Sequence, residues 1–275
     1  MIKDIGILLM IMAQFASATM LNAQPHSEQN VQSYIYEKLD RHDIVFVGTI
    51  HQQPAILRQM AGLIAHLHET GVTHLALEVA SDQQDHIDGF LASGRGLARI
   101  ALHKAVDCPQ YRNLFKILRR LHPNRRPAVV AIDLPGSQYG GAVTRNQYMA
   151  IKLASVVQSQ PDAKVLTMLG SLHVLRKLKW NHRADNGHLA VRTHLEQMMP
   201  ELKMFSVVHL VDTSGNNCDF SRRLSPLTGN VAIDLDQRFK GWRLGITDCL
   251  AVRPSQPYEL VDGVIIHPLP PVLHR

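Results

Sequence analysis

Two hydrophobic runs in this chain close in the same way. Asp43-Ile-Val-Phe-Val-Gly-Thr-Ile-His51 and Lys164-Val-Leu-Thr-Met-Leu-Gly-Ser-Leu-His173 each read as a buried strand that stops at a glycine, with a histidine three positions on. After the first, Pro54 suits the opening position of a helix. Ile56, Leu57, Met60, Leu63, Ile64 and Leu67 then follow the helical period, and Gly71 is expected to end it. A histidine thus stands where a strand hands over to a helix N-terminus, the place where open α/β sheets bind ligands. Between the two copies, Thr73-His-Leu-Ala-Leu-Glu78 reads as a third strand ending on a carboxylate. Two imidazoles and one carboxylate at strand C-termini make a candidate site.

The remaining elements fit the same scheme. Glu28 to Arg41 reads as a helix, as do Pro109 to Leu121, Arg145 to about Gln158 behind a Thr144 cap, and His188 to Met199. Ser81 with Gln84 has capping-box spacing at the start of another. Ala128 to Asp133, Met204 to Val211 and Gly263 to His267 read as strands, while residues 213–262 read as irregular. Strands alternating with helices predict a mainly parallel central sheet flanked by helices on both faces, an α/β domain over residues 28–275.

Residues 1–23 read as an export signal: a short apolar core from Ile5 to Ala13, with Ala16-Ser-Ala18 or Leu21-Asn-Ala23 before cleavage. The expected location is periplasmic or secreted, with membrane attachment only through an uncleaved signal segment. A formal charge of +6 permits anionic partners. Arg176, Lys177, Lys179 and Arg183 follow the second histidine and place that charge beside the candidate site, whereas Arg119, Arg120, Arg125 and Arg126 read as solvated helix ends. With 5% aromatics and no recognised module, nucleic acid is not an expected partner. Cys108, Cys218 and Cys249 form no metal-binding spacing; one disulfide, such as Cys218 with Cys249, is allowed but not deducible.

Two chemistries are open to the site. Two histidines and a carboxylate form a common set for a divalent metal such as Zn, Mn or Co, which would activate water; His51, Glu78 and His173 would be the ligands. Without a metal, His51 would be the general base, Glu78 its orienting group, and Arg145 or His173 the oxyanion donor. A histidine at a strand end often only satisfies loop backbone; the matched pair tilts the reading towards function. Asp133 reads as a turn former ahead of Pro135-Gly136, and Arg145 otherwise as a first-turn surface residue. A phenolate can hold ferric iron, so Tyr111 and Tyr139 are haem-ligand candidates, with packing as the plainer role. His182 and His188 are secondary candidates by position.

The motifs Val47-Gly-Thr-Ile-His51, Leu75-Ala-Leu-Glu78, Arg145-Asn-Gln-Tyr-Met-Ala150, Gly170-Ser-Leu-His173 and Val261-Asp-Gly-Val-Ile-Ile266, in that order, resemble the superfamily of ChaN-like haem-binding uptake proteins, TIKI/TraB metalloproteases and erythromycin esterases. Gln84, Asp88-Gly-Phe-Leu91, Tyr111 and Asp133-Leu-Pro135 resemble the ChaN-like branch most, while Gly-Thr-Ile-His resembles TIKI/TraB. Thr49 stands where ChaN-like proteins and esterases usually carry glutamate. The resemblance implies an exported hydrolase, metal-assisted, acting on a peptide, ester or amide bond of a small-molecule or peptide substrate. Its alternative is a haem or iron-binding uptake protein without turnover, with Tyr111, Arg176 and Lys177 at the haem.

Overall fold

The computed structural model of the chain describes residues 28–177, 189–211, 218–224, 229–245 and 256–267. The export-signal reading of residues 1–23, and His182 and His188, lie outside them.

Helix α1 (Glu28–Arg41) leads into β1 (Ile44–Thr49), then α2 (Pro54–Ala65), β2 (His74–Ala80), α3 (Gln84–Ser93) and α4 (Pro109–Arg120). β3 (Ala128–Asp133), α5 (Arg145–Ser159), β4 (Val165–Gly170), α6 (Val191–Met198) and β5 (Met204–Val211) follow. The described chain ends with α7 (Asp219–Leu224), β6 (Val231–Asp234), α8 (Pro257–Leu260) and β7 (Gly263–His267). The seven strands form one sheet in the order β3-β2-β4-β1-β5-β7-β6, parallel except for the β6–β7 pair. This is the mainly parallel α/β architecture read from the sequence.

Both faces of the sheet are covered, which is why its strands are near-continuous apolar runs. Alternate residues serve opposite cores. Val45, Val47, Leu75, Leu77, Leu166 and Met168 pack with α1, α2, α3 and α4. Ile44, Phe46, Ala76, Val165, Leu169 and Val208 pack with α5 and α6. Among the described residues no helix is long and apolar enough to cross a membrane.

Several expectations are corrected. The helix after the first histidine ends at Ala65, with a 3-10 turn Leu67–Glu69 before Gly71. Ser81 opens a 3-10 turn (Ser81–Gln83) rather than capping α3, and its hydroxyl pairs with that of Tyr148 at 2.7 Å. Gln84 forms no capping box; its amide donates to Val129 O and accepts from Ala131 N, both at 2.8 Å, and so satisfies the open edge of β3. The segment taken as irregular holds α7, β6 and α8, with β6 pinned to α1 by Tyr34 and Lys38, which both donate to Asp234 at 2.7 Å. Among the described residues Cys108 and Cys218 form no disulfide; Cys249, and with it the Cys218–Cys249 pairing, lies outside them.

Candidate functional site

The strand order sets β2, β4 and β1 side by side, so three parallel C-terminal ends deliver Glu78, the 3-10 turn Ser171–Val174 and His51 to one edge. The two motif glycines make that convergence possible. A Cβ on Gly170 would stand 2.9 Å from His51 Nε2 and 3.4 Å from Glu78 Oε2. A Cβ on Gly48 would stand 2.7 Å from Val174 Cγ2 and 2.9 Å from Ser171 Cα. Each glycine leaves room for the other motif.

His51 lies in a turn whose next residue, Gln52, adopts a left-handed backbone (φ 57°), unfavourable for a side chain of this kind. The Gln52 amide donates to Lys104 O at 2.7 Å and holds the turn against residues 101–108. The His51 side chain is 34% exposed, and its Nε2 is 3.9 Å from Glu78 Oε1, too far for a direct hydrogen bond. Burial lowers its pKa below 6.5; Glu78 pulls the other way, and His173, Arg145 and His103 add to the lowering. His51 is therefore neutral at pH 7, with a charged carboxylate alongside.

Glu78 is 4% exposed. Its Oε2 accepts from Gly170 N at 2.6 Å and its Oε1 from Arg145 Nη2 at 2.7 Å. Burial alone would raise its pKa; His173, Arg145 and His51 outweigh burial and hold it well below the usual carboxylate range. Arg145 also forks onto buried Asp133, with Nε to Oδ1 at 2.7 Å and Nη2 to Oδ2 at 2.6 Å. Burial disfavours the guanidinium charge, but Asp133 and Glu78 reverse that and raise its pKa. Thr144 Oγ1 accepts from Gln147 N at 3.2 Å and caps α5, which fixes Arg145 on the first turn facing inward.

His173 is buried. Its Nδ1 is 2.6 Å from Asn146 Oδ1, and Asn146 Nδ2 donates to Leu189 O at 2.8 Å. That second bond fixes which way the amide faces, so Nδ1 carries a proton and donates to Oδ1. The ring's Nε2 lies 3.3 Å from Arg145 Nη1 and 3.5 Å from Glu78 Oε1.

The structure thus brings together His51, Glu78, His173 and Arg145. It adds Asp133, which the sequence reading demoted to a turn former, and Asn146, which that reading missed. The only sequence signal for Asn146 was its place beside Arg145, on the first turn of a helix starting at the sheet's C-terminal edge.

The donor set does not fit a divalent ion. Among the described residues no three His, Cys, Asp or Glu side chains are placed to hold one. Arg145 explains why: its guanidinium spans His173 Nε2 and Glu78 Oε1, where a metal bound by both would have to sit. Among the described residues His51, Glu78 and His173 do not stand as a ready ligand set.

The residues named for haem do not fit that group either. Tyr111 is buried in α4, its ring edge-on to Phe115, rather than at a loop. Its hydroxyl has no partner among the described residues; burial, with Glu78, Asp133 and Cys108, keeps it protonated. Arg176 donates to Asp262 and Lys177 to Glu259, so both cations are already neutralised. Tyr139, for which packing was the plainer role, is instead 53% exposed.

No family model and no curated protein matches the chain. Solved structures do. A succinoglycan biosynthesis protein superposes with a TM-score of 0.69 at 9% identity, over 91% of this chain and 96% of that one. The erythromycin esterase EreC in its open conformation gives 0.65 at 12%, over 90% and 95%. A Bacillus cereus protein gives 0.59 at 11%, over 93% and 97%. At such identities the likeness is one of fold. The chain has the α/β fold found in the erythromycin esterases, in agreement with the superfamily resemblance carried by its Gly-x-x-His motifs.

Proposed function

We propose that this chain is an exported hydrolase of a peptide, ester or amide bond, working without a metal. The observation that carries the reading is a half-buried, neutral His51 beside a buried carboxylate that Arg145 and Gly170 N hold ionised. With Nε2 turned to Glu78, Nδ1 is left to take a proton from water as the water oxygen attacks the carbonyl carbon. Glu78 steadies the imidazolium so formed, and the same proton passes to the departing alkoxide or amine. Arg145 commits Nε–H and both Nη2 hydrogens to carboxylates and one Nη1 hydrogen towards His173, which leaves one for the oxyanion. Glu78 and Asp133 against Arg145 leave the pocket floor net negative, which favours a substrate neutral at the scissile group.

The test is turnover of p-nitrophenyl esters and peptide p-nitroanilides by protein dialysed against EDTA. Turnover should survive metal removal, and His51→Ala should lower kcat by about 10²–10⁴-fold. Loss of activity in EDTA with recovery on Zn or Mn would instead put a metal in the mechanism. No hydrolysis, together with a Soret band on adding haemin, would support the haem-uptake alternative.

A further inference from the structure

Beside helix α3 lies a cavity of about 360 Å³ that shares no residue with the site at His51, lined by Asp85, His86 and Gly89 of the helix and by Arg95 and Arg99 beyond it. Two chain reversals shape it. Gly94 ends α3 in the left-handed region (φ 75°), and Gly96 (φ 85°) turns the chain again before the 3-10 turn Leu97–Arg99. Ser93 Oγ donates to Gly89 O at 2.7 Å and accepts from Arg95 N at 3.1 Å, which holds the first reversal against the helix. Both arginines are thereby returned to one cavity wall. Among the described residues, neither they nor Asp85 take part in an ion pair.

Gly89 is the second observation. It sits in the middle of α3, where glycine is among the least favourable residues. A Cβ built there meets no atom within 4 Å, so nothing in the protein's own packing asks for glycine. The space kept open is that of the cavity Gly89 lines, as a ligand resting on bare backbone requires.

We infer that this cavity binds a small organic anion, its carboxylate or phosphate head between Arg95 and Arg99. Guanidinium forks match both head groups. His86 offers a further donor, Asp85 accepts from a hydroxyl on the ligand's body, and two arginines against one aspartate leave the cavity net positive. Its volume is in the range of small-ligand pockets rather than of a bare ion.

Isothermal titration of the whole protein tests this with glucose 6-phosphate, glucuronate and neutral glucose, and with inorganic phosphate for the head alone. At least one anionic sugar should bind in the millimolar range or tighter, more weakly as salt rises, while glucose does not; which sugar binds identifies the head group. Arg95→Ala with Arg99→Ala should raise Kd at least about tenfold. Gly89→Ala should raise the melting temperature of the unliganded protein yet weaken binding by a similar factor. No binding of either anionic sugar, binding of glucose as well, or a Gly89→Ala protein that binds like the wild type would overturn the assignment.

Discussion

Arg145 shows how far one side chain's role depends on what surrounds it. From sequence it follows a helix cap and is an oxyanion-donor candidate that otherwise reads as a first-turn surface residue. In the fold it bridges two buried carboxylates, so its removal leaves two unpaired charges with little water. Arg145→Ala should therefore cost about 3–5 kcal/mol of stability, read by urea unfolding, against the ±0.5 kcal/mol of a surface arginine. Glu78 sets a second expectation, for pH. The base must be neutral, so kcat/KM should rise with pH through an apparent pKa below 6.5. The Glu78 carboxylate pulls that pKa up, so Glu78→Gln should move the acid limb to lower pH while reducing the plateau. An unmoved limb would mean that the titrating base does not face Glu78.

At the scale of elements, the repeated motif is a reciprocal fit between two strand ends. Its glycines look alike in sequence, yet they should fail differently. Gly48→Ala drives a Cβ into Val174 Cγ2 and into the backbone at Ser171, neither free to retreat. It should destabilise by about 1–3 kcal/mol. Gly170→Ala meets chiefly the half-exposed His51 ring, which can swing away. The fold should stay close to wild-type stability while activity falls by about 10²-fold, the usual cost of a small misplacement of a catalytic group. Chemical denaturation alongside kinetics on both variants separates the two; equal losses of stability would contradict the distinction. Gln84 teaches a related lesson. Its spacing from Ser81 matched a cap, but the open edge of β3 offered two backbone partners that only the folded sheet brings within reach.

For the molecule as a whole, acid should be the sensitive direction. His209 and His267 lie buried on neighbouring strands, with Nδ1 of the first 2.7 Å from Nε2 of the second. Burial pushes His267 down to about 4, and burial with His267 pushes His209 well below 6.5. A histidine whose folded pKa is depressed is neutral in the fold while its unfolded counterpart takes up a proton. Stability is therefore full above about pH 6.5 and is lost as pH falls towards the folded pKa. Between pH 7.5 and 5, His267 alone should account for about 2 kcal/mol of lost unfolding free energy. His267→Leu should flatten that slope in urea titrations; a slope identical to wild type would refute this source.

The sequence by itself determined six of the seven strands, because a strand buried on both faces must be apolar throughout and such runs stand out; the short edge strand β6 does not. The sequence also determined the two glycine–histidine endings and the carboxylate between them, and with them the place of the candidate site at the C-terminal edge of the sheet. Only the tertiary structure decided which side chains meet there. Asp133 and Asn146 come from β3 and α5, and nothing in their local sequence separates a turn former and a helix-start amide from partners of Arg145 and His173. Hydrogen-bond partners far apart in the chain are chosen by the order in which the strands lie side by side, and that order also put a guanidinium where the motif alone would have put a metal.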